Sequence, residues 1–441
     1  MRLIEKLLLP LIGKSRLRSL LTRRFERDLQ AFLKSGQQIR FKPVNKPDVS
    51  VIIPVFNSAH HTLRCLLSLV AERNVSLEVI VFDNASNDAT AELLQRCENL
   101  VVINSPENLG FVGAINAAAK HAHGRFLLML NNDATILSGS IRDATEVFDT
   151  ETNVGAVGAR IRLATGHIQE AGSIIFQDGT TDGYLRNKRT EDPTAMYMRD
   201  VDFCSGVFLA VERRQFAALG GLDEIFAPGY YEETDLCMRL RAQGLRIIYN
   251  PAILIEHFEF GSLPSATAFK TMAEHRLIFL KRWQVNLNSE GYRKRGSAAE
   301  NASRRLIPRP RLLLILNNCL PHELPDSIQQ AIHSAVGKKW QVSLFIIGLR
   351  HVSWAQFYAT YGTKIELVLN RRGAELSKLL RKRKNYFDVI AAIGVRPSAE
   401  LGKFRKVAPG CLMGVECLSS VDVTELEQML EKLSIQAPVQ D

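Results

Sequence analysis

The chain is poor in features that would send it across a membrane or out of a reducing compartment. No stretch approaches the roughly 18 consecutive apolar residues of a membrane-spanning helix. Pro10 and Gly13-Lys14 interrupt the short apolar start, and no small-residue cleavage pattern follows, so no secretory signal is expected. Seven cysteines are scattered without a single CxxC pair, which argues against a disulfide framework or a zinc site and fits a reducing cytosol. No P-loop, GxGxxG fingerprint, internal repeat or low-complexity tract is present. The excess of positive charge is also local. Of the net +10, residues 1–42 carry +8, with eleven Lys/Arg against Glu5, Glu26 and Asp28. The rest of the chain is nearly neutral, which excludes a general nucleic-acid binder.

What is present divides in three. Residues 1–47 form a basic, helically patterned segment and linker. Leu3, Leu7, Leu11 and then Leu21, Phe25, Leu29 and Leu33 recur at helical spacing among arginines. Such a helix either lies on an anionic membrane surface or packs on the protein's own core. Residues 48–305 begin with continuous apolar strands (Val49–Val55, Leu77–Phe82, Val101–Ile103, Phe126–Leu130) alternating with helical runs. That pattern predicts a mostly parallel sheet covered on both faces, with ligands beyond the strands' carboxyl ends. Residues 308–441, after Pro308-Arg309-Pro310, restart the alternation as a smaller Rossmann-like unit.

Five polar pieces follow predicted strands or open helices. Asp83-Asn84 stands on the rim, suited either to a nucleobase or to an Asx-type helix cap. Asn108-Leu109-Gly110 opens a helix whose amides either face a diphosphate or simply start the helix. Asn131-Asn132-Asp133 ends a buried strand, where one carboxylate plus phosphate oxygens can bind Mg2+ or Mn2+. Glu232, Glu233 and Asp235 crowd one helix N-terminus. They cap it and complement its dipole, or they supply a base whose pKa is raised by like charge. Arg239, four residues on, is positioned to pair with Asp235. His257 follows a predicted strand as either a metal ligand or a satisfied core histidine.

Together these motifs resemble the inverting family 2 glycosyltransferases of the rhamnosyltransferase-like branch, over roughly residues 48–285. Val49 to Asn57 is similar to the family's opening strand, with Pro54, Phe56 and Asn57 at its nucleotide-contacting turn. Leu77 to Asp88 resembles the base-recognising segment, and Asn108 to Asn116 the Asn-x-Gly-x-x-x-x-x-Asn helix. The resemblance implies a GT-A fold, a nucleoside-diphosphate-sugar donor and a divalent metal held by Asp133 and His257 beside Asn132. It implies Glu233 as the base. Two departures stand out: Asn131 opens the metal motif where the family has Asp, and Glu rather than Asp occupies the base position. The implied acceptor is a cell-surface glycan, often lipid-linked. The implied location is the inner face of the plasma membrane, reached through the basic N-terminus. The last unit resembles the N-terminal half of a GT-B transferase, as an accessory domain. The rivals are a nucleotidyltransferase, disfavoured by Asn57-Ser58-Ala59-His60 where a Gly-rich basic loop would stand, and a non-catalytic glycan- or partner-binding protein on a degenerate transferase fold.

Overall fold

The computed structural model describes residues 14–259 apart from Arg73, residues 265–296, and, further on, 310–317, 324, 326–347, 357, 361–370, 379, 383, 386–393 and 412–416. The chain divides into two compact units. The first comprises residues up to Thr190 and Val201–Glu290, and the second Glu191–Asp200 with Gly291 onward.

The first unit opens with α1 (Lys14–Ser35), β1 (Val49–Val55), α2 (Ala59–Val70), β2 (Leu77–Asp83), α3 (Thr90–Leu94), β3 (Val101–Asn104), α4 (Gly110–Ala119) and β4 (Phe126–Leu130). Then come β5 (Ala134–Ile136), α5 (Ser140–Thr150), β6 (Val154–Leu163), β7 (Ile168–Ala171), β8 (Phe208–Glu212), α6 (Arg213–Ala218), α7 (Glu232–Ala242), β9 (Arg246–His257) and α8 (Ser265–Ser289). The sheet runs β9-β6-β8-β4-β1-β2-β3. Strands β3, β2, β1 and β4 are mutually parallel. β8 runs antiparallel to both β4 and β6, while β9 is again parallel to β6. β5 and β7 add antiparallel to β9 and β6.

The continuous apolar strands are explained by burial on both faces: nearly every residue of β1 and β4 is buried. The carboxyl ends of β1, β2 and β4 therefore leave Asn57, Asp83 and Asp133 on a common rim, as their positions after strands predict. The α/β class with a mostly parallel central sheet is the one expected. Helix α1 turns Phe25, Leu29 and Leu33 into the protein, so this part of its apolar stripe is spent on its own core. The expected helix from residue 3 to 13 lies outside the described residues.

In the second unit, β10 (Arg311–Asn317), α9 (Asp326–Gly337), β11 (Gln341–Ile347), β12 (Ile365–Asn370), β13 (Val389–Ile393) and β14 (Leu412–Glu416) form an all-parallel sheet in the order β12-β11-β10-β13-β14. The reversal beside β10 is the doubly wound, Rossmann-like arrangement. The core is apolar, from Leu312, Leu314, Val342, Leu344 and Ile365 to Val389. Residues 191–200 belong to this unit: Met198 N–H donates to the Thr363 carbonyl at 2.8 Å, and Arg199 donates to the Tyr197 carbonyl at 3.1 Å. The strand Leu412–Glu416 is not anticipated by the sequence reading.

Candidate active site

The rim begins with two turns fastened to each other. Asn57 lies in the left-handed region at φ 57°. Its backbone N–H donates to Ser86 Oγ at 2.8 Å, and its side-chain Oδ1 accepts from Asn87 N–H at 2.9 Å. Asp83 Oδ1 accepts from the Ser86 amide at 2.9 Å. Asp88 clamps the start of α2, accepting from Ala59 N–H at 2.9 Å. Pro54, Phe56 and Asn57 are half-buried on this edge, whereas Asp83 is buried.

Several of the asparagines singled out by sequence are wired inward. Asn84 donates to the Gly110 carbonyl and accepts from the Leu109 amide, both at 2.9 Å. Asn116 both donates to and accepts from the backbone of Leu222, at 2.8 and 2.9 Å. Asn132 donates to Thr62 Oγ1 at 3.1 Å. The first amides of α4 are engaged within the protein as well. Gly110 N–H bonds Asn108 Oδ1 at 2.9 Å, and the amides of Phe111 and Val112 converge on the Pro228 carbonyl at 2.6 and 3.3 Å. Asn84, Gly110 and Asn116 thus shape the rim by holding its loops together. The diphosphate-facing use of the α4 amides meets donors already committed to Pro228.

Asp133 and His257 are brought together from the ends of β4 and β9. Asp133 Oδ1 lies 3.0 Å from His257 Nε2, both residues being buried. On the far side, His257 Nδ1–H donates to Gln169 Oε1 at 2.7 Å, which aims Nε2 at the carboxylate. Burial works against the Asp133 carboxylate, yet His257, by charge and hydrogen bond, holds it below the usual carboxylate range. Burial likewise opposes the charged imidazole, and Asp133 outweighs it, so His257 is held above its usual value. The neighbouring His61 is driven the other way, down to about 3, by burial and by His60. A carboxylate and an imidazole Nε2 facing each other across 3.0 Å form a pocket for one positive charge, a proton or a cation. The donor set fits a divalent ion that takes its remaining ligands from diphosphate and water. Among the described residues no group of three or more His, Cys, Asp or Glu could cage a metal without such help.

The acidic helix α7 is entered through strain. Tyr230 and Tyr231 both lie in the left-handed region, at φ 73° and 74°. They are held there by His275 Nδ1–H donating to the Tyr230 carbonyl and by the Tyr231 hydroxyl donating to the Gly179 carbonyl, each at 2.9 Å. Two consecutive non-glycine residues in that region make a constrained turn at the entry of α7. The three carboxylates that follow have different surroundings. Asp235 is fully buried and accepts from Arg239 Nε at 2.7 Å and from Arg282 and Trp283 Nε1 at 2.9 Å each. It is the anchor of α7 against α8, and the Arg239 pairing is the one its spacing predicts. Glu232 is driven well above the ordinary range by burial and by Glu233. Glu233 is pushed up to about 7 by burial, with Glu170 adding to the effect against its own helix-start amides. Glu232 Oε2 and Glu233 Oε2 have no hydrogen-bond partner among the described residues. Buried polar atoms are normally hydrogen-bonded, so these two oxygens are open to a partner from outside the described residues.

Gln169 and Glu170 were missed by sequence reasoning. Both are buried polar residues in the four-residue strand β7, between Ile168 and Ala171. That polar pair inside an otherwise buried strand is the signal that would have found them.

Comparisons with known proteins bear on the same region. Residues 50–217 match the family model described as Glycosyl transferase family 2. The chain is 29% identical over 255 residues to the O-antigen biosynthesis protein RfbC of Myxococcus xanthus, covering 54% of this chain and 20% of that protein. It is 26% identical over 260 residues to the N-acetylglucosaminyl-diphospho-decaprenol L-rhamnosyltransferase of Mycobacterium tuberculosis, covering 52% of this chain and 82% of that one. Of the first curated relatives it matches, the chain spans only a fifth to a third of their length. Among solved structures it is similar to the mannosyltransferase PcManGT from Pyrobaculum calidifontis in complex with GDP-Man and Mn2+. That likeness has 19% identity and a TM-score of 0.41, covering 62% of this chain and 76% of the other.

Proposed function

We propose that this chain, whose residues 50–217 match the family 2 glycosyltransferase model, is an inverting transferase of GT-A fold. It moves a hexose, rhamnose foremost, from a nucleoside-diphosphate-sugar to a hydroxyl of a cell-surface glycan. Support for the acceptor class comes from the O-antigen and rhamnosyltransferase relatives. Asp83 and Asn57 contact the nucleoside at the rim. Asp133 and His257 would hold a Mn2+ or Mg2+ ion, which when bound supplies charge neutralisation to the leaving diphosphate. Glu233 takes the proton from the acceptor hydroxyl as its oxygen attacks the anomeric carbon. The bond from that carbon to the diphosphate breaks, and the nucleoside diphosphate leaves with the electron pair. A base titrating near neutrality is matched to that task. The location, a docked position on the inner face of the plasma membrane, is part of this reading and is served by the basic N-terminus.

The observation that carries the reading is Glu233. Its carboxyl is held at about 7, has an oxygen with no partner among the described residues, and follows a strained turn. The test pairs two measurements. Thermal stabilisation by a panel of nucleoside diphosphates and their sugars, with and without Mn2+, should single out one nucleotide in a metal-dependent way. Glu233→Gln should keep that stabilisation and lose at least about a hundredfold in transfer rate. Normal turnover in the variant would move the base role to Glu232. Absence of stabilisation by every nucleotide would favour the binding-protein alternative.

A further inference from the structure

Strand β7 carries a carboxylate that the proposed chemistry does not use. Glu170 is buried, and both of its oxygens accept. Oε1 takes the Ser205 amide at 3.1 Å and Oε2 takes the Ser173 hydroxyl at 2.8 Å. Burial raises its carboxyl above the usual carboxylate range, while these two donors and the nearby Arg186 and His257 favour the ionised form. The Ser205–Gly206 turn that it holds packs under α7. A Cβ on Gly206 would stand 3.3 Å from the Phe111 ring and 3.9 Å from Glu233 Cβ. One residue earlier on the same strand, Gln169 holds His257 at 2.7 Å. A single short strand therefore ties the Asp133–His257 pair to the floor beneath Glu233.

We propose that Glu170 is a positioning residue for Glu233: it fixes the Ser205–Gly206 turn on which α7 rests, and its ionised form places a like charge near the base. The proposal deepens the proposed function and rests on Glu233 as base. Several other groups also face Glu233. Glu232 adjoins it, Tyr230 and Tyr231 precede it, and Cys237 lies one turn on. Of these, only Glu232 is a second carboxylate, and its proton is retained by burial. The field of Glu170 raises the pH at which Glu233 ionises.

The experiment follows the Glu233 carboxyl by 13C NMR in the full-length protein labelled at glutamate, the resonance being assigned by its loss in Glu233→Gln. In Glu170→Gln the Glu233 midpoint should fall by about one pH unit, because a neighbouring like charge is removed. In Glu170→Asp, which keeps the charge but withdraws it from the Ser205 amide, the midpoint should stay near that of the parent. The proton-transfer step should slow several-fold, with KM for the donor unchanged. An unmoved midpoint in Glu170→Gln overturns the proposal. If that variant does not fold, parental kcat in Glu170→Asp overturns it instead. The NMR midpoint needs no turnover, so a parent protein inactive with every donor would strike the function proposed above and leave this inference to its own result.

Discussion

At the scale of single residues, Glu233 ties stability and activity to the same proton. Its carboxyl ionises near 7 in the folded protein and near 4.5 in the unfolded chain. Between those values the folded state holds the extra proton, so stability falls as pH rises through the window. The chemistry runs the other way, because only the ionised form accepts a proton. The rate should therefore drop about tenfold per pH unit below 7. Glu233→Gln, which keeps the shape without the charge, should melt at a higher temperature than the parent at pH 8, the gap closing towards pH 5. Scanning calorimetry across that range measures it, and equal melting at pH 8 would refute a buried charge at this position. Asp133, His257 and the acidic triplet were legible as residue types at strand and helix ends. Which carboxylate does what was not. Asp235 and Glu233 sit two positions apart, yet one is saturated by Arg239, Arg282 and Trp283 while the other has an oxygen left over. The partners Arg282 and Trp283 come from α8, nearly fifty residues away, and no local pattern announces them.

At the scale of elements, continuous apolar runs read correctly as buried parallel strands because a sheet covered on both faces leaves no polar side to display. Strands β6 to β9 were harder. They mix antiparallel pairing with bulges, and β9 shifts register against β6 between Asn250 and Leu254. The α4 entry shows how much of the apparent ligand chemistry in such loops is framework. Gly110 has φ +70°, and a Cβ there would sit 2.5 Å from Pro228 Cβ. Gly110→Ala should accordingly destabilise the first unit by about 1–3 kcal/mol, read as a lowered midpoint in urea unfolding. Asp235→Ala removes the fully buried carboxylate that accepts from the half-buried Arg239, the more exposed Arg282 and the Trp283 indole N–H. Its cost should be about 3–5 kcal/mol, with proteolysis at α7 as a second readout. A rate defect without a stability defect would return Asp235 to the chemistry.

At the scale of the whole molecule, the restart of strand–helix alternation after Pro310 was enough to anticipate a second parallel unit, and its doubly wound strand order follows. The contribution of residues 191–200 was not legible, because a ten-residue detour inside the first unit's sequence carries no periodicity of its own. Tyr197 is buried there. The Glu366 carboxylate in the same unit is gripped by Arg383 at 2.6 and 2.7 Å and by Ser343 at 2.7 Å, with Arg199 adding its charge. Removing a buried aromatic of this size costs about 3–5 kcal/mol. Tyr197→Ala should lower the melting of the second unit while leaving nucleotide-induced stabilisation of the first in place. Loss of both together would show the units to be one cooperative block.

That borrowed segment limits how the protein can be recombined. A unit made only of consecutive sequence can be cut off, transplanted or traded between relatives as a cassette. This one cannot, because part of its wall is encoded more than ninety residues before the rest begins. A chimaera that replaces everything from Gly291 onward must also carry its own version of residues 191–200. In a lineage of such proteins, those ten positions should change in step with the distant tail and not with the sequence on either side of them.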